Sequence, residues 1–338
     1  MGKKSFFTNI SSAQMALTLM LLLAFSTGLK VGNHLADDYK SSEDSKASQI
    51  SGPHFPYELD QAMRKLALPT VLSEASAVSY VDGRNVAILQ DELGSIFIFS
   101  LYEGKIIREI PFAKSGDFEG LVVRDNQAWA LRSDGDLYRV DQLNSQQPQS
   151  VKIETRLKSK DDTEGLAYDP LSRQLLVGLK EPPKLIDGRV KNKRAVYSFK
   201  MDAEYASESP FLLLDMGEVQ RVYSSQVQSK NASHFDPEKK KSFQPSDLAV
   251  HPITGHIYHI AARGQLLVVS DRNGQIYFVR ELPKSLFTQP EGICFDPRGN
   301  LFIVNEGAGG MASLLEFSYQ PIMKPIKEDE SITSFTLL

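Results

Sequence analysis

Cysteine is almost missing from this 338-residue chain, where Cys294 stands alone. A single cysteine excludes an internal disulfide and any cysteine-rich zinc site, but does not by itself assign a compartment. A surplus of positive charge is missing too. With 38 Lys and Arg against 42 Asp and Glu, the formal net charge is -4, which argues against nucleic acid or an anionic membrane surface as the main partner. No P-loop, nucleophile elbow or zinc-binding helix is present, so no catalytic residue is assigned. Gly307-Ala308-Gly309-Gly310 follows a strand pattern but no helix pattern comes after it, so it reads as a turn and not a dinucleotide loop. His256 and His259 lie three apart on an expected strand and face opposite sides, which excludes a shared metal.

What the chain does have is repetition. The segments Glu74-Ala75-Ser76-Ala77-Val78, Asp117-Phe118-Glu119-Gly120-Leu121, Asp162-Thr163-Glu164-Gly165-Leu166, Gln244-Pro245-Ser246-Asp247-Leu248 and Gln289-Pro290-Glu291-Gly292-Ile293 share one pattern. Their third residues are spaced by 43, 45, 82 and 45 positions. A period of about 45 residues is that of a four-stranded propeller blade. Short β-rich runs with Asp-Pro, His-Pro and Asp-Gly turns sit in the same register after each segment. The expected fold is an all-β propeller of five blades. Residues 219–227 read as one further strand, and a sixth, degenerate blade in the long interval is the alternative. A Lys/Arg-rich insertion at 185–194 falls inside that interval. The last blade needs one more strand to close the ring; residues 332–338 (ITSFTLL) alternate suitably, with 63–68 as the competitor.

Three regions are expected: residues 1–35 as a signal peptide or membrane anchor, 36–55 as a polar linker, and 56–338 as the propeller. Lys3 and Lys4 precede the apolar run 15–29, an order that sends the following chain across the membrane. The run is short for a span, and Ala24-Phe25-Ser26 offers a cleavage pattern. Retained anchor and cleaved signal both stay open. The first puts the propeller on the periplasmic side of a bacterial inner membrane, the second exports it.

The first strand of each propeller blade lines the central channel. One column of side chains there is Glu74, Asp117, Asp162, Gln244 and Gln289; a second is Ser76, Glu119, Glu164, Ser246 and Glu291, with Asp247 beside it. Gln90, Asp91, Asn305 and Glu306 end second strands at the same mouth, and Arg132 is the candidate counter-charge. Carboxylates crowded in this way require a cation, basic side chains or protons. Oxygen ligands alone suit a hard ion, calcium above magnesium. The expected metal ligands are Glu74, Asp117, Glu119, Asp162, Glu164 and Glu291. A water-filled polar lining without a metal is the competing reading.

Read together, Leu72-Ser73-Glu74-Ala75-Ser76-Ala77, the three Glu-Gly segments, Ser133-Asp134-Gly135-Asp136-Leu137-Tyr138 and Val304-Asn305-Glu306 resemble the SdiA-regulated (YjiK-like) family of bacterial propellers. This family includes proteins described as calcium-regulated and phytase-like. The resemblance spans about residues 56–320 and implies an exported or membrane-anchored propeller with a calcium site. Ala77 and Asp247 depart from the small Gly of the family pattern, and either change reshapes the channel locally. Two functions follow: a calcium-binding scaffold that recognises a small ligand or a protein, or a calcium-dependent phosphoesterase or esterase. A phosphate substrate calls for several cations near the metal, and the sequence places only Arg132 and Lys180 there. That shortage favours binding.

Overall fold

The computed structural model describes residues 55–201, 207, 209–226 and 243–321. After β1 (Arg64–Ala67) and a 3-10 turn at Thr70–Leu72, the chain builds antiparallel four-stranded sheets in succession. Blade 1 is β2 (Ala75–Asp82), β3 (Asn85–Gln90), β4 (Ser95–Ser100) and β5 (Lys105–Pro111). Blade 2 is β6 (Phe118–Arg124), β7 (Gln127–Arg132), β8 (Asp136–Asp141) and β9 (Gln149–Glu154). Blade 3 pairs β10 (Thr163–Asp169), β11 (Gln174–Leu179), β14 (Lys193–Lys200) and β15 (Leu212–Asp215). A small hairpin, β12 (Lys184–Leu185) and β13 (Gly188–Arg189), is inserted between its second and third strands. Blade 4 is β16 (Asp247–Val250), β17 (Ile257–Ala261), β18 (Leu266–Ser270) and β19 (Ile276–Glu281). Blade 5 is β20 (Pro290–Phe295), β21 (Leu301–Asn305), β22 (Ser313–Phe317) and, outermost, β1.

The inner strands touch in a closed cycle, β2 to β6 to β10 to β16 to β20 and back to β2. Five sheets therefore stand radially around one channel, and the fold is an all-β, five-bladed propeller. Each wedge between successive blades holds its own apolar cluster. Because both faces of a blade are buried, the middle strands lose the alternation of a half-exposed sheet. Every residue of β4 (SIFIFS) is buried, while the outer β5 (KIIREIP) alternates with exposed positions.

Ring closure corrects one expectation. The outer place in blade 5 is taken by β1, the amino-terminal competitor, and not by residues 332–338, which lie outside the described residues. Arg64 fixes the closure: its Nε donates to Glu316 Oε2 at 2.8 Å and its Nη1 to the Leu101 carbonyl of blade 1 at 2.8 Å. The route from β1 through the Thr70–Leu72 turn leads straight into β2, so the sealing strand and the first inner strand are consecutive in the chain.

A second correction concerns the strand expected at 219–227. Met216–Gln226 is an α-helix, α1. Met216, Val219, Val222 and Tyr223 recur at helical spacing and are buried against blades 3 and 4. Asp215 caps it, its Oδ1 accepting from the backbone N–H of Gly217 at 2.7 Å and Glu218 at 3.1 Å. The expected signal or anchor, and the linker up to residue 54, lie outside the described residues. Among the described residues no helix is long and apolar enough to cross a membrane.

Candidate functional site

The repeated segments form one mouth of the channel, and a backbone irregularity aims them. In blades 1, 2, 3 and 5 the pairing of the inner strand slips by one residue across Ser76, Glu119, Glu164 and Glu291. Each is a β-bulge, a device that bends the strand and re-aims a side chain. The residue after each bulge is small because the next inner strand crosses it closely. A Cβ on Gly120 would lie 2.6 Å from Leu166 Cβ, and one on Gly292 would lie 2.8 Å from Ala77 Cα. Blade 4 pairs without such a slip, from Gln244 with Arg263 to Asp247 with Ile260. There Asp247 stands where the other blades have Gly or Ala. Its buried carboxylate accepts from the backbone N–H of Leu166 at 3.2 Å, Leu248 at 2.8 Å and Ile293 at 2.8 Å, tying blades 3, 4 and 5 at the axis.

Contacts divide the expected site residues into two groups. Ser76 Oγ donates to the Phe118 carbonyl at 2.6 Å and Ser246 Oγ to the Pro290 carbonyl at 2.7 Å, so both serines pin neighbouring blades. Gln90 Oε1 accepts from Leu93 N at 2.5 Å, and Asn305 Nδ2 donates to Leu286 O and Ser313 Oγ, at 3.3 and 3.2 Å. These four, with Asp247, are structural. Arg132 is not the internal counter-charge: its guanidinium is held by Asp134 at 2.6 Å and by Asp136, within its own blade. That role belongs to Lys180, whose Nζ donates to Glu164 Oε1 at 2.6 Å.

Glu74, Asp117, Glu119, Asp162, Glu164, Gln289, Glu291 and the strand-end residues Asp91 and Glu306 make up the second group, which shapes the field of the mouth. The backbone amides of Asp91, Ser133, Lys180 and Glu306 donate to the carbonyls of Glu74, Asp117, Asp162 and Gln289, at 2.8 to 3.1 Å. Gln244 bonds Arg263 in the corresponding place, with Arg263 Nη1 donating to its Oε1 at 3.2 Å. A ring of strand-end residues thus encircles the mouth, acidic on blades 1 and 5 and basic on blades 3 and 4. Asp162 reaches its place through a left-handed backbone, φ 54°, which Asp tolerates better than most residues.

Burial dominates the protonation of Glu119, Glu164, Glu306, Asp91, Asp162 and Glu291. Glu119 is pushed up to about 10 by burial, then by the charges of Glu164, Asp117 and Glu291. Burial raises Glu164 to about 8, with Lys180 pulling against it. Glu306 rises to about 7 through burial and the nearby Glu291 and Glu74, and it accepts a hydrogen bond from Gln289. Asp91, Asp162 and Glu291 are raised as well, each mainly by burial. Burial lowers the Lys180 ammonium, but Glu164, Asp162 and Glu119 more than reverse this and keep it charged.

A cavity of about 590 Å³ opens on the basic side of the mouth, lined by Asp162, Lys180, Glu181, Gln244, Arg263 and Glu291 among others. Glu181 and Arg263 were not foreseen from the sequence. Lys180 shares the register of Asp91 and Glu306, a signal that finds it; Arg263 is offset by one residue because blade 4 lacks the bulge. The oxygen-only donors suit a hard cation in chemistry. Among the described residues, however, no group of three His, Cys, Asp or Glu stands close enough to hold one metal ion. Calcium would there be held by few carboxylates at once, with amide oxygens and water completing its shell.

No curated protein matches the chain. Glutaminyl cyclase from Myxococcus xanthus is 12% identical with a TM-score of 0.50, over 77% of this chain and 96% of that one. The PQQ-bound aldose sugar dehydrogenase of Streptomyces coelicolor is 11% identical with a TM-score of 0.46, over 76% and 97%. At such identity the cyclase likeness concerns the propeller fold alone. The SdiA-regulated family model, by contrast, matches residues 50–308, a stretch that contains every inner strand and every bulge of the ring, and the chain belongs to that family.

Proposed function

We propose that this chain is a binding propeller whose acidic mouth takes calcium and, with it, a small ligand or a protein surface. The observation that carries the reading is the pair Glu119 and Glu164. On adjacent bulges, Glu119 is pushed up by burial and by the charge of Glu164, while Glu164 is pushed up by burial against the pull of its partner Lys180, with Glu291 close by. A divalent ion would replace those protons and offset the repulsion. Glu119 and Glu164 would hold it, with Glu291 nearby. The cavity on the Lys180 and Arg263 side is of the size that small-molecule sites have.

Thermal unfolding of the full-length protein tests this. A ligand that binds only the folded state stabilises it by mass action, about 2.7 kcal/mol at a hundredfold excess over Kd. Calcium is expected to raise the midpoint and magnesium to raise it less, because of its stricter octahedral demand. Glu119→Gln with Glu164→Gln removes the response and keeps the fold. A wild type unmoved by calcium, with the double variant melting higher, would make the mouth a repulsive polar lining and overturn the proposal.

One observation favours a calcium-dependent phosphoesterase or esterase as the second reading. Lys180 and Arg263 face the cavity from adjacent blades, as two cations for a phosphate would. Turnover of model phosphoesters and esters, present with calcium and lost on chelation, is its test. The absence of turnover with calcium bound leaves the binding reading alone.

A further inference from the structure

Charge at the mouth is divided between two halves. Around the ring the strand-end residues run Glu306 on blade 5, Asp91 on blade 1, Ser133 on blade 2, Lys180 on blade 3 and Arg263 on blade 4. Two acids thus stand side by side, and so do two bases. The basic half has donors to spare. Lys180 Nζ spends one on Glu164, at 2.6 Å, and Arg263, exposed at the rim, spends Nη1 on the neutral Gln244, at 3.2 Å. The acidic half is short of cations: among the described residues Glu74, Asp91, Asp117, Glu291 and Glu306 take part in no ion pair, and Asp91 Oδ1 is buried without a hydrogen-bond partner. No three of these acids stand close enough for one metal ion. An organic ammonium makes no such demand, because it donates its hydrogen bonds one by one.

The cavity of about 590 Å³ reaches both halves. Asp162, Glu181 and Glu291 line it together with Lys180 and Arg263, and Gln289, also in its wall, donates to Glu306. An anion alone would face those acids, and a cation alone would face the two bases. A molecule carrying both charges meets each half with the opposite sign. We infer that the cavity takes a small zwitterion, its carboxylate on Arg263 and Lys180 and its ammonium on Glu291 and Glu306. This rests on the mouth being a binding site and is independent of its calcium. Charge-assisted hydrogen bonds at both ends are the strong contacts. Burial, then the charge of Glu291, raises Glu306 to about 7, so near neutral pH a proton partly stands in for the missing cation, and the ammonium takes its place.

Titration calorimetry of the full-length protein with ε-aminocaproate tests this, with caproate and hexylamine as probes that keep one charge each. It is run with a chelator and again with calcium. The zwitterion should bind about tenfold more tightly than either single-charge probe, a difference of about 1.4 kcal/mol. Arg263→Gln should lower its affinity toward that of hexylamine, and Glu306→Gln toward that of caproate. Neither variant should melt below the wild type, since Arg263 is exposed and Glu306 is repelled by its neighbours. Equal binding of the three probes, no binding of the zwitterion, or a preference unchanged in both variants would overturn the assignment. Calcium is judged by its own shift of the thermal midpoint, so a protein that answers calcium and ignores the zwitterion overturns the dipolar site alone.

Discussion

Raising the pH from 7 to 8 should destabilise this protein, and Glu119 and Glu164 set the size of the effect. An ordinary glutamate loses its proton near 4.5, whereas burial, with neighbouring carboxylates adding to it, holds Glu119 to about 10 and Glu164 to about 8. Above the unfolded value the folded chain keeps protons that the unfolded chain has released. The stability these groups contribute is fully present below about 4.5 and is lost as the pH rises through the folded values of about 8 and about 10. Each such proton corresponds to about 1.4 kcal/mol per pH unit. Between pH 7 and 8, Glu119 supplies nearly one proton and Glu164 more than half of one. The expected loss is therefore about 2–2.7 kcal/mol per pH unit. Glu306, held at about 7, adds a smaller loss of the same sign as it finishes releasing its proton. Burial holds His251 at about 4 and His259 at about 3, so their stabilising neutrality is lost only as the pH falls below the ordinary 6.5. Asp134, Asp169 and Asp215 are depressed, and their contributions are already complete well below pH 7. Urea unfolding of the full-length protein at about pH 7 and about pH 8, with a chelator present, measures the difference. Glu119→Gln with Glu164→Gln should flatten it. A stability that holds or rises across this interval, or a slope that survives in the double variant, refutes the electrostatic account of the mouth.

Three further outcomes follow from the ring. Asp247→Ala leaves the cross-blade amides of Leu166 and Ile293 without their acceptor, a loss of about 2–6 kcal/mol at 1–3 for each buried donor; urea unfolding that moves by less than about 1 kcal/mol would show that the three-blade tie is dispensable. Arg64→Ala removes the partner of the nearly buried Glu316 and should cost about 1–3 kcal/mol, read as a lower thermal midpoint, while an unchanged midpoint would deny β1 its sealing role. For the export proposed from Lys3, Lys4 and the apolar run 15–29, a phosphatase reporter fused after residue 40 should be active in a Gram-negative host, and activity of a cytoplasmic reporter at that place would reverse the topology.

The blades were legible because two periodic signals coincide: the repeated segment and the turn chemistry that follows it at fixed offset. Strand type was legible despite missing alternation, since short apolar runs such as NVAILQ and SIFIFS between turns are what a sheet buried on both faces requires. The helix at Met216–Gln226 was not legible as a strand-free stretch. Val219 and Tyr223 suit either period, and the decision rests on Met216, Val219 and Val222 meeting one apolar cluster at helical spacing. The sealing strand was legible only as a choice of two. Residues 332–338 alternate as well as residues 63–68 do, and what favours the latter is connectivity into β2, which no local pattern encodes.

The site was half legible, and the bulges account for the other half. A strict strand puts positions one and three of each segment on one side, which is why both columns were expected to line the channel. A one-residue slip at position three changes which residues face inward, and its only trace in the sequence is the small residue that follows. That trace also distinguishes the blades. Ala77 is small enough to keep the bulge of blade 1, whereas Asp247 is not a substitute for Gly in a tight crossing and blade 4 has no bulge. Without the slip, the partner of Gln244 becomes Arg263, and a second cation enters the ring beside Lys180. The Asp247 departure and the basic half of the mouth are thus one event. Restoring the small residue with Asp247→Gly would remove the carboxylate that ties three blades, so the charge asymmetry of the mouth and the cohesion of its axis are set by the same side chain.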